Sequence, residues 1–380
     1  MGAGAQWRSA SRSTGSARRA DRRRKCWDPV FRRKSSSAAV ATAGFLFFLG
    51  VSIFFLPVPE PFGSEETRAV TLLIWTHPFG RYHKLPDCLE LYQIGGCTLT
   101  DDWSAHREAD AVIVHHREVE SGTVYLPPEP RSSAQKWIWM NYESPAHTPG
   151  LRRFNNVFNL TLTYRTDSDI FLPYGYLVLK NQRSPRNHLA QPLHAPSSQP
   201  LRPRLLAWVI SNWSESHERV AFYYQLSRHI KVDVFGRAGR PLPEDRGRGS
   251  VVRMLGRYQF YLALENSRHT DYITEKLWNA VLAGSIPVVL GPSRQNYERF
   301  LPPKAFIHVD DFPSVRALAK YLLRLSRDPV RLRRHLDWRG SYSLHQPSFW
   351  AEHYCTACRA VRRTRGRTEV VQDLERWFHS

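Results

Sequence analysis

The sequence lacks the two phosphate-binding motifs that most readily identify a nucleotide-dependent enzyme. It contains neither G-x-G-x-x-G nor the Walker A pattern, so neither a dinucleotide cofactor nor an ATP site is indicated. Internal repeats and heptad arrays are also missing, as are low-complexity tracts beyond a basic N-terminal tail. Neither a solenoid nor a coiled coil is therefore indicated.

Acidic residues are in short supply, with 34 Asp and Glu against 54 Lys and Arg, a formal net charge of +20. Such an excess would suit nucleic-acid binding, but residues 1–37 alone hold 11 basic and 2 acidic residues. The uncharged run that follows, residues 38–56, has 19 residues. At about 1.5 Å per residue it is just long enough to cross a hydrocarbon core of about 30 Å. The basic tail is therefore predicted to orient a membrane span, and no nucleic-acid partner is expected.

The N-terminal region is predicted to be a signal-anchor, with a cytosolic tail (1–37), a single transmembrane helix (38–56) and a short stem (57–68). A cleaved signal peptide is the alternative; it is disfavoured by the long basic flank and by the lack of a small-x-small cleavage pattern. The basic flank places the rest of the chain in the lumen, in agreement with sequons at Asn159 and Asn212. We expect a single-pass type II protein of the Golgi membrane, although hydropathy alone does not separate Golgi from ER.

Cysteine is scarce as well, with five residues in the chain. Cys26 precedes the span, and the other four, in the oxidising lumen, are predicted to form disulfides: Cys88, Cys97, Cys355 and Cys358. Zinc is the alternative, but the C-x8-C spacing of the first pair is poor for a zinc site. A bond within the C-terminal pair would close a small loop and stabilise little, whereas crossed bonds would join the two ends of the lumenal domain. Both pairings remain open.

About 310 residues follow the stem, too many for one core, and they predict two α/β lobes. The first lobe is placed at 69–176 and the second at 205–362, joined by a linker at 177–204 that is rich in Pro and Ser. A C-terminal amphipathic helix is predicted at 363–380. Alternation of strands and helices favours parallel sheets; the predicted strands are 70–75, 111–115, 136–140, 205–211, 230–236, 260–264, 286–290 and 305–309.

One stretch, YLALENSRHTDYITEKLWNAVLAGSIPVVLG at 261–291, reads as strand, polar turn, helix and strand. Thr274 can begin the helix and Gly284 can end it. Polar side chains in the turn would lie at the carboxyl end of a parallel strand, where ligands gather in such sheets. A helix N-terminus beside Lys276 would bind an anion such as a pyrophosphate. The basic, glycine-rich segment 237–257 is predicted to be a mobile loop without an assigned role.

Several segments together resemble the Golgi α1,3-fucosyltransferases, in particular the myeloid and Lewis-x-forming members of glycosyltransferase family 10. The resemblance rests on ENS…DYITEK, PVVLGPSRQNYERF, Glu143-Ser-Pro145, YRTDSDIFLPYG, and Ser211-Asn212 with Arg219-Val220. It covers about residues 68–380 and implies a GT-B fold, with two Rossmann-like lobes facing a cleft. It also implies inverting transfer of L-fucose from GDP-fucose to the 3-hydroxyl of GlcNAc in N-acetyllactosamine, on glycoproteins or glycolipids.

The resemblance also implies roles for individual residues. Glu143 is the expected base, with Glu265 in reserve, while Lys276 and Arg219 would stabilise the departing diphosphate. His116, Arg117 and Glu143 would border the acceptor, and Arg117 implies a preference for Galβ1-4GlcNAc. The remaining expected donor contacts are Ser211, Asn212, Glu265, Asn266, Tyr272, Thr274 and Glu275.

Metal-dependent chemistry is the alternative for two pairs of residues. Asp167 and Asp169 form an Asp-x-Asp that could hold Mn²⁺ or Mg²⁺, but the surrounding segment resembles a family that works without a bound metal. His115 and His116 lack a third ligand at a useful spacing. We therefore expect no metal and no cofactor besides the donor substrate.

Two other functions fit parts of the sequence. A protein O-fucosyltransferase would share the fold, and a non-catalytic Golgi glycan-binding protein would need neither a base nor two cations in one cleft. The sequence leaves the chain's oligomeric state open between monomer and homodimer.

Overall fold

Parallel strands and helices alternate through most of the chain in the computed structural model, which describes residues 69–181, 189–194, 202–242 and 248–380. The predicted tail, span and stem lie outside the described residues, and no helix within those residues is long and apolar enough to cross a membrane. The strands are β1 Val70–Ile74, β2 Cys97–Thr100, β3 Ala111–His115, β4 Lys136–Met140, β5 Leu160–Thr163, β6 Ile170–Phe171, β7 Tyr176–Leu179, β8 Gln191–Pro192, β9 Arg204–Ile210, β10 Asp233–Gly236, β11 Tyr258–Leu264, β12 Ile286–Leu290, β13 Ile307–His308 and β14 Tyr342–His345. The helices are α1 Cys88–Tyr92, α2 His116–Glu120, α3 Glu218–Ser227, α4 Arg248–Leu255, α5 Glu275–Ala283, α6 Arg294–Glu298, α7 Val315–Leu325, α8 Pro329–Arg334, α9 Ala351–Arg363 and α10 Leu374–His379.

The first lobe is built on a six-stranded parallel sheet with the order β2-β1-β3-β4-β5-β6. Its central strands, AVIVH in β3 and KWIWM in β4, are buried at every position. Continuous burial is typical of a parallel strand that is covered on both faces. The predicted strands at 70–75, 111–115 and 136–140 are therefore confirmed to within a residue.

The second lobe is built on a five-stranded parallel sheet with the order β10-β9-β11-β12-β13. Helix α5 follows Thr274 and ends at Gly284, whose φ of 72° is easily adopted by glycine. Helix α3 begins three residues later than expected, because 214–217 form a turn closed by a hydrogen bond from His217 N to the carbonyl of Ser214. The predicted α/β class is thus confirmed, with two separate parallel sheets.

Three boundaries predicted from the sequence need correction. The linker at 177–204 contributes β7 and β8 to a third, antiparallel sheet with the order β7-β14-β8. The segment 237–257, expected to be a loop, contains helix α4. The predicted C-terminal helix at 363–380 is short, since Val370 and Val371 precede α10 in irregular structure.

The C-terminal segment returns to the first lobe, although the sequence assigned residues up to 362 to the second. Side chains of α9 and α10, among them Tyr354, Cys358 and Phe378, are buried in the core of the first lobe. Disulfides Cys88–Cys355 and Cys97–Cys358 attach α9 to the same lobe. The crossed pairing is therefore the one the structure has, and it joins the two ends of the described chain.

Candidate active site

The carboxyl ends of strands from both lobes meet at one group of polar side chains. Glu143 follows β4 in the first lobe, and Glu265 directly follows β11 in the second. Arg219 lies in the first turn of α3, and Lys276 lies in the first turn of α5. Within each sheet the parallel strands present their carboxyl ends to one edge, and the two edges meet because Asn266 and Tyr272 of the second lobe contact Glu143 of the first.

Glu143 is solvent-exposed, and its carboxylate is held through one oxygen. Oε1 accepts hydrogen bonds from Tyr272 Oη at 2.7 Å, Ser144 N at 2.9 Å and Asn266 Nδ2 at 3.1 Å. No described residue donates to Oε2. Partial desolvation of the carboxyl by its neighbours opposes ionisation although the residue reaches solvent. These three hydrogen bonds and the charge of His147 outweigh that effect, and the pKa of Glu143 lies below its usual range. An ionised carboxylate with one free oxygen can accept a proton.

Glu265 is enclosed, with an exposed side-chain fraction of 1%. Its Oε1 accepts from Thr274 N and Oγ1, both at 2.9 Å, and its Oε2 accepts from Lys276 Nζ at 2.9 Å. Burial raises the pKa of Glu265 although the ammonium of Lys276 lowers it. With both oxygens in use, Glu265 holds Lys276 in place, and the geometry favours Glu143 as the base.

Two cations, Lys276 and Arg219, lie beside these carboxylates. Burial lowers the pKa of Lys276, but the charges of Glu265 and Glu275 reverse this effect and raise it overall. Arg219 is 6% exposed and donates from Nη2 to the carbonyl of Asn212 at 2.8 Å. Its buried Nε has no acceptor among the described residues. A buried guanidinium with an unused donor is suited to an anionic ligand.

The other predicted donor contacts differ in accessibility. Ser211, Asn212 and Glu275 are exposed. Thr274 is buried, and its hydroxyl donates to Glu265. Tyr272 is 3% exposed and its hydroxyl contacts Glu143. Its hydroxyl hydrogen is donated to the carboxylate, whereas its oxygen can still accept a hydrogen bond, and the contact with a donor hydroxyl stays a prediction.

His116 and Arg117, which follow β3 and were predicted to border the acceptor sugar, also differ in accessibility. His116 is 3% exposed; its Nε2 contacts the carbonyl of Pro149 and its Nδ1 accepts from Trp139 Nε1. Burial lowers the pKa of His116 to about 4. His116 therefore supports the loop after β4, and its place beside an acceptor stays a prediction. Arg117 is exposed and lies over the ring of Phe79 at 5.0 Å.

Sequence reasoning missed several side chains around Glu143. Tyr164 Oη donates to the carbonyl of Glu143 at 3.2 Å, and the rings of Tyr164 and Tyr272 are 5.2 Å apart. His147 of the first lobe and His217 of the second lie with ring centroids 6.0 Å apart. His147 could have been suspected from its place four residues after Glu143. Tyr164 could have been placed near the site by the rule that ligands gather at the carboxyl ends of parallel strands, because it directly follows β5, the parallel neighbour of β4.

Both aspartates of the Asp-x-Asp pair have structural partners. Asp167 accepts two hydrogen bonds from Arg165 and one from Trp377 Nε1. Asp169 Oδ2 accepts from the backbone N and hydroxyl of Thr161, both at 2.8 Å. Within the described residues no group of three or more His, Cys, Asp or Glu side chains is arranged to hold a metal.

The two sequons differ in their surroundings. Asn212 is exposed beside Arg219, so a glycan there would lie next to the cation. Asn159 Nδ2, the atom that would carry a glycan, donates to the carbonyls of Thr368 and Glu369 at 3.4 and 3.0 Å. Glycosylation of either residue stays a prediction.

Comparison with known proteins identifies relatives across both lobes. Residues 67–175 match the family model described as Fucosyltransferase, N-terminal, and residues 199–377 match Glycosyltransferase family 10 (fucosyltransferase) C-term. The chain is 45% identical over 364 residues to Alpha-(1,3)-fucosyltransferase 4 of Homo sapiens, a match that covers 84% of this chain but 66% of the human protein. The bovine protein of that name is 44% identical over 369 residues, with 84% of this chain and 88% of its own length covered.

A second relative is 4-galactosyl-N-acetylglucosaminide 3-alpha-L-fucosyltransferase FUT6 of Pongo pygmaeus, 47% identical over 305 residues, with 80% of this chain and 81% of its own length covered. Among solved structures, an alpha1,3-fucosyltransferase crystallised with GDP-fucose superposes with a TM-score of 0.52 over 83% of this chain and 95% of its own, at 16% identity. That likeness supports the GT-B-like fold.

Proposed function

The chain belongs to glycosyltransferase family 10, the fucosyltransferases, and we propose that it is an inverting α1,3-fucosyltransferase acting on N-acetyllactosamine. It takes L-fucose from GDP-β-L-fucose and transfers it to the 3-hydroxyl of GlcNAc. One observation carries the assignment. The first lobe presents an ionised carboxylate, Glu143, which Asn266 and Tyr272 of the second lobe hold. The second lobe also contributes two partly or wholly buried cations, Lys276 and Arg219, to the same group of side chains.

The side chains divide the reaction between the lobes. Glu143 Oε2 accepts the proton of the acceptor hydroxyl, and the hydroxyl oxygen bonds to the anomeric carbon of fucose. The bond from that carbon to the β-phosphate oxygen breaks, and GDP leaves with the bonding electrons. Arg219 and Lys276 stabilise the negative charge that develops on the diphosphate, since they are fixed before the reaction begins. Attack opposite the leaving group inverts the anomeric configuration.

The same assignment fits a lumenal site in the Golgi. Support comes from the apolar run at 38–56, which lies outside the described residues, and from two disulfides of a kind that forms in oxidising compartments. A glycan-binding protein without activity would have no use for an ionised base with a free oxygen beside two cations.

A direct assay tests the proposal. The full-length chain, purified in a mild detergent, is incubated with GDP-fucose and N-acetyllactosamine, its Galβ1-3GlcNAc isomer and a folded protein acceptor. We expect GDP release and an α1,3-fucosylated product with the first acceptor. Transfer to the protein's Ser or Thr side chains would favour the protein O-fucosyltransferase instead, and GDP-fucose or glycan binding without transfer would contradict the enzymatic assignment.

Chelation supplies a prediction about metal. Because Asp167 and Asp169 are held by Arg165 and Thr161, and two cations are available for the diphosphate, EDTA should leave most of the transfer rate intact. Added Mn²⁺ should stimulate only modestly. The measurement is the initial rate after dialysis against EDTA, and complete loss that Mn²⁺ restores would establish a metal-dependent mechanism.

A further inference from the structure

Asp271 lies where the two lobes meet, one residue before Tyr272, with 1% of its side chain exposed. Its Oδ2 accepts from Thr166 of the first lobe, at 2.9 Å from the backbone N and 2.7 Å from the hydroxyl. Its Oδ1 accepts from Asn296 Nδ2 at 2.6 Å and Arg299 Nη1 at 3.2 Å in the second lobe. A single carboxylate therefore joins the lobes through four donors.

The surrounding bonds fix the backbone at Asp271. Its φ is 60°, in the left-handed region that Asp and Asn tolerate better than most residues. Its own N donates to Asn296 Oδ1 at 3.0 Å, and Arg299 Nη2 donates to the Thr166 hydroxyl at 2.6 Å. We call Asp271, Thr166, Asn296 and Arg299 the lobe clasp. Tyr272, the next residue in the chain, is thereby directed at Glu143.

We propose that Asp271 is a positioning residue that, through the lobe clasp, sets the placement of Tyr272 against the base Glu143. The inference rests on the proposed function, because it concerns the same reaction. Asp271 contacts neither Glu143 nor the two cations assigned to the diphosphate. It acts by fixing the distance between the lobe that carries Glu143 and the lobe that carries Arg219 and Lys276. Transfer between two lobes depends on that distance, and a displacement of about 1 Å can slow a reaction roughly a hundredfold.

Loosening the clasp should also change how Glu143 titrates. The hydrogen bond from Tyr272 is one of the interactions that hold the pKa of Glu143 below its usual range. The other titratable groups that act with Glu143 are His147, Arg219, Tyr164 and Tyr174, and the clasp variants leave all four unchanged. Losing the Tyr272 bond therefore raises the pKa of Glu143 and moves the acidic limb of the kcat/KM profile to higher pH.

The test uses the full-length chain with a matched pair of variants. Thr166→Val keeps the size and the backbone N–H but removes the hydroxyl, whereas Thr166→Ser keeps the hydroxyl. We expect Thr166→Val to lower kcat about 10- to 100-fold, shift the acidic limb upward and leave GDP-fucose affinity close to that of the unmodified chain. Thr166→Ser should retain most of the rate. Asp271→Asn tolerates the left-handed backbone but turns an NH₂ toward donors, and should resemble Thr166→Val.

Asp311→Asn serves as the control, because it removes an ion pair with Arg294 that lies wholly in the second lobe. Hydrogen exchange of the Ser144 amide, which donates to Glu143, gives a readout that does not need turnover. The exchange should be faster in Thr166→Val than in the unmodified chain, and unchanged in Thr166→Ser. The inference is overturned if Thr166→Val and Thr166→Ser behave alike, or if rate and donor affinity fall together while the acidic limb stays in place. An unmodified chain that transfers no fucose refutes the proposed function, and the exchange comparison still decides the role of the clasp.

Discussion

Replacing Glu143 by Gln is expected to slow fucose transfer by about 10²- to 10⁴-fold, the usual contribution of a general base. In this structure the substitution can remove the proton acceptor without removing the hydrogen bonds that hold the side chain. The three donors that hold the carboxylate, Tyr272, Ser144 and Asn266, all contact Oε1. The single oxygen of Gln can accept from all three, and its NH₂ then takes the place of the free Oε2, which can no longer accept a proton.

Donor affinity separates this result from misfolding. Arg219 and Lys276 belong to the second lobe, so GDP-fucose should bind Glu143→Gln about as well as it binds the unmodified chain, measured by titration calorimetry. Glu265→Gln is the paired variant, since it changes the other carboxylate of the site. Normal turnover of Glu143→Gln, together with an inactive Glu265→Gln that still folds and binds GDP-fucose, would transfer the role of base to Glu265.

Much of the fold could be predicted because local signals and tertiary packing agree. Strands β3, β4 and β12 are short buried apolar runs, and α5 has Thr274 before its first residue and Gly284 after its last. The C-terminal segment could not be assigned to its lobe in the same way. Amphipathic character shows that a helix has an apolar face to bury, but it does not show which core that face will join.

The candidate site was predicted in part for a related reason. The positions of Glu143, Lys276 and Arg219 after strands or at helix starts place them at the carboxyl edge of a sheet, whatever the distance between them in the sequence. The contacts between side chains of different lobes depend on how the two lobes pack against each other. The contact of the Tyr272 hydroxyl with Glu143 was therefore not predicted, and the four members of the lobe clasp were assigned no role, although each lies in a segment that resembles the family.

Lys276→Ala should lower kcat/KM by about 10²- to 10³-fold, comparable to the loss of one preorganised charge-stabilising group. Unlike the loss of Glu143, it should weaken GDP-fucose binding as well as turnover, because the ammonium is proposed to contact the diphosphate both before and after the sugar leaves. Lys320→Ala, an exposed lysine of α7 in the same lobe, should change neither quantity.

Lys276→Ala also affects Glu265, because it leaves that carboxylate buried without its cation. An unpaired buried carboxylate lowers the stability of the fold and places a negative charge near the diphosphate. The double variant Lys276→Ala with Glu265→Gln removes that charge. Its melting temperature should recover relative to Lys276→Ala, while its affinity for GDP-fucose should stay low because the cation is still absent. Recovery of donor affinity in the double variant would show that Lys276 serves to neutralise Glu265, and the diphosphate would then depend on Arg219 alone among the cations assigned here.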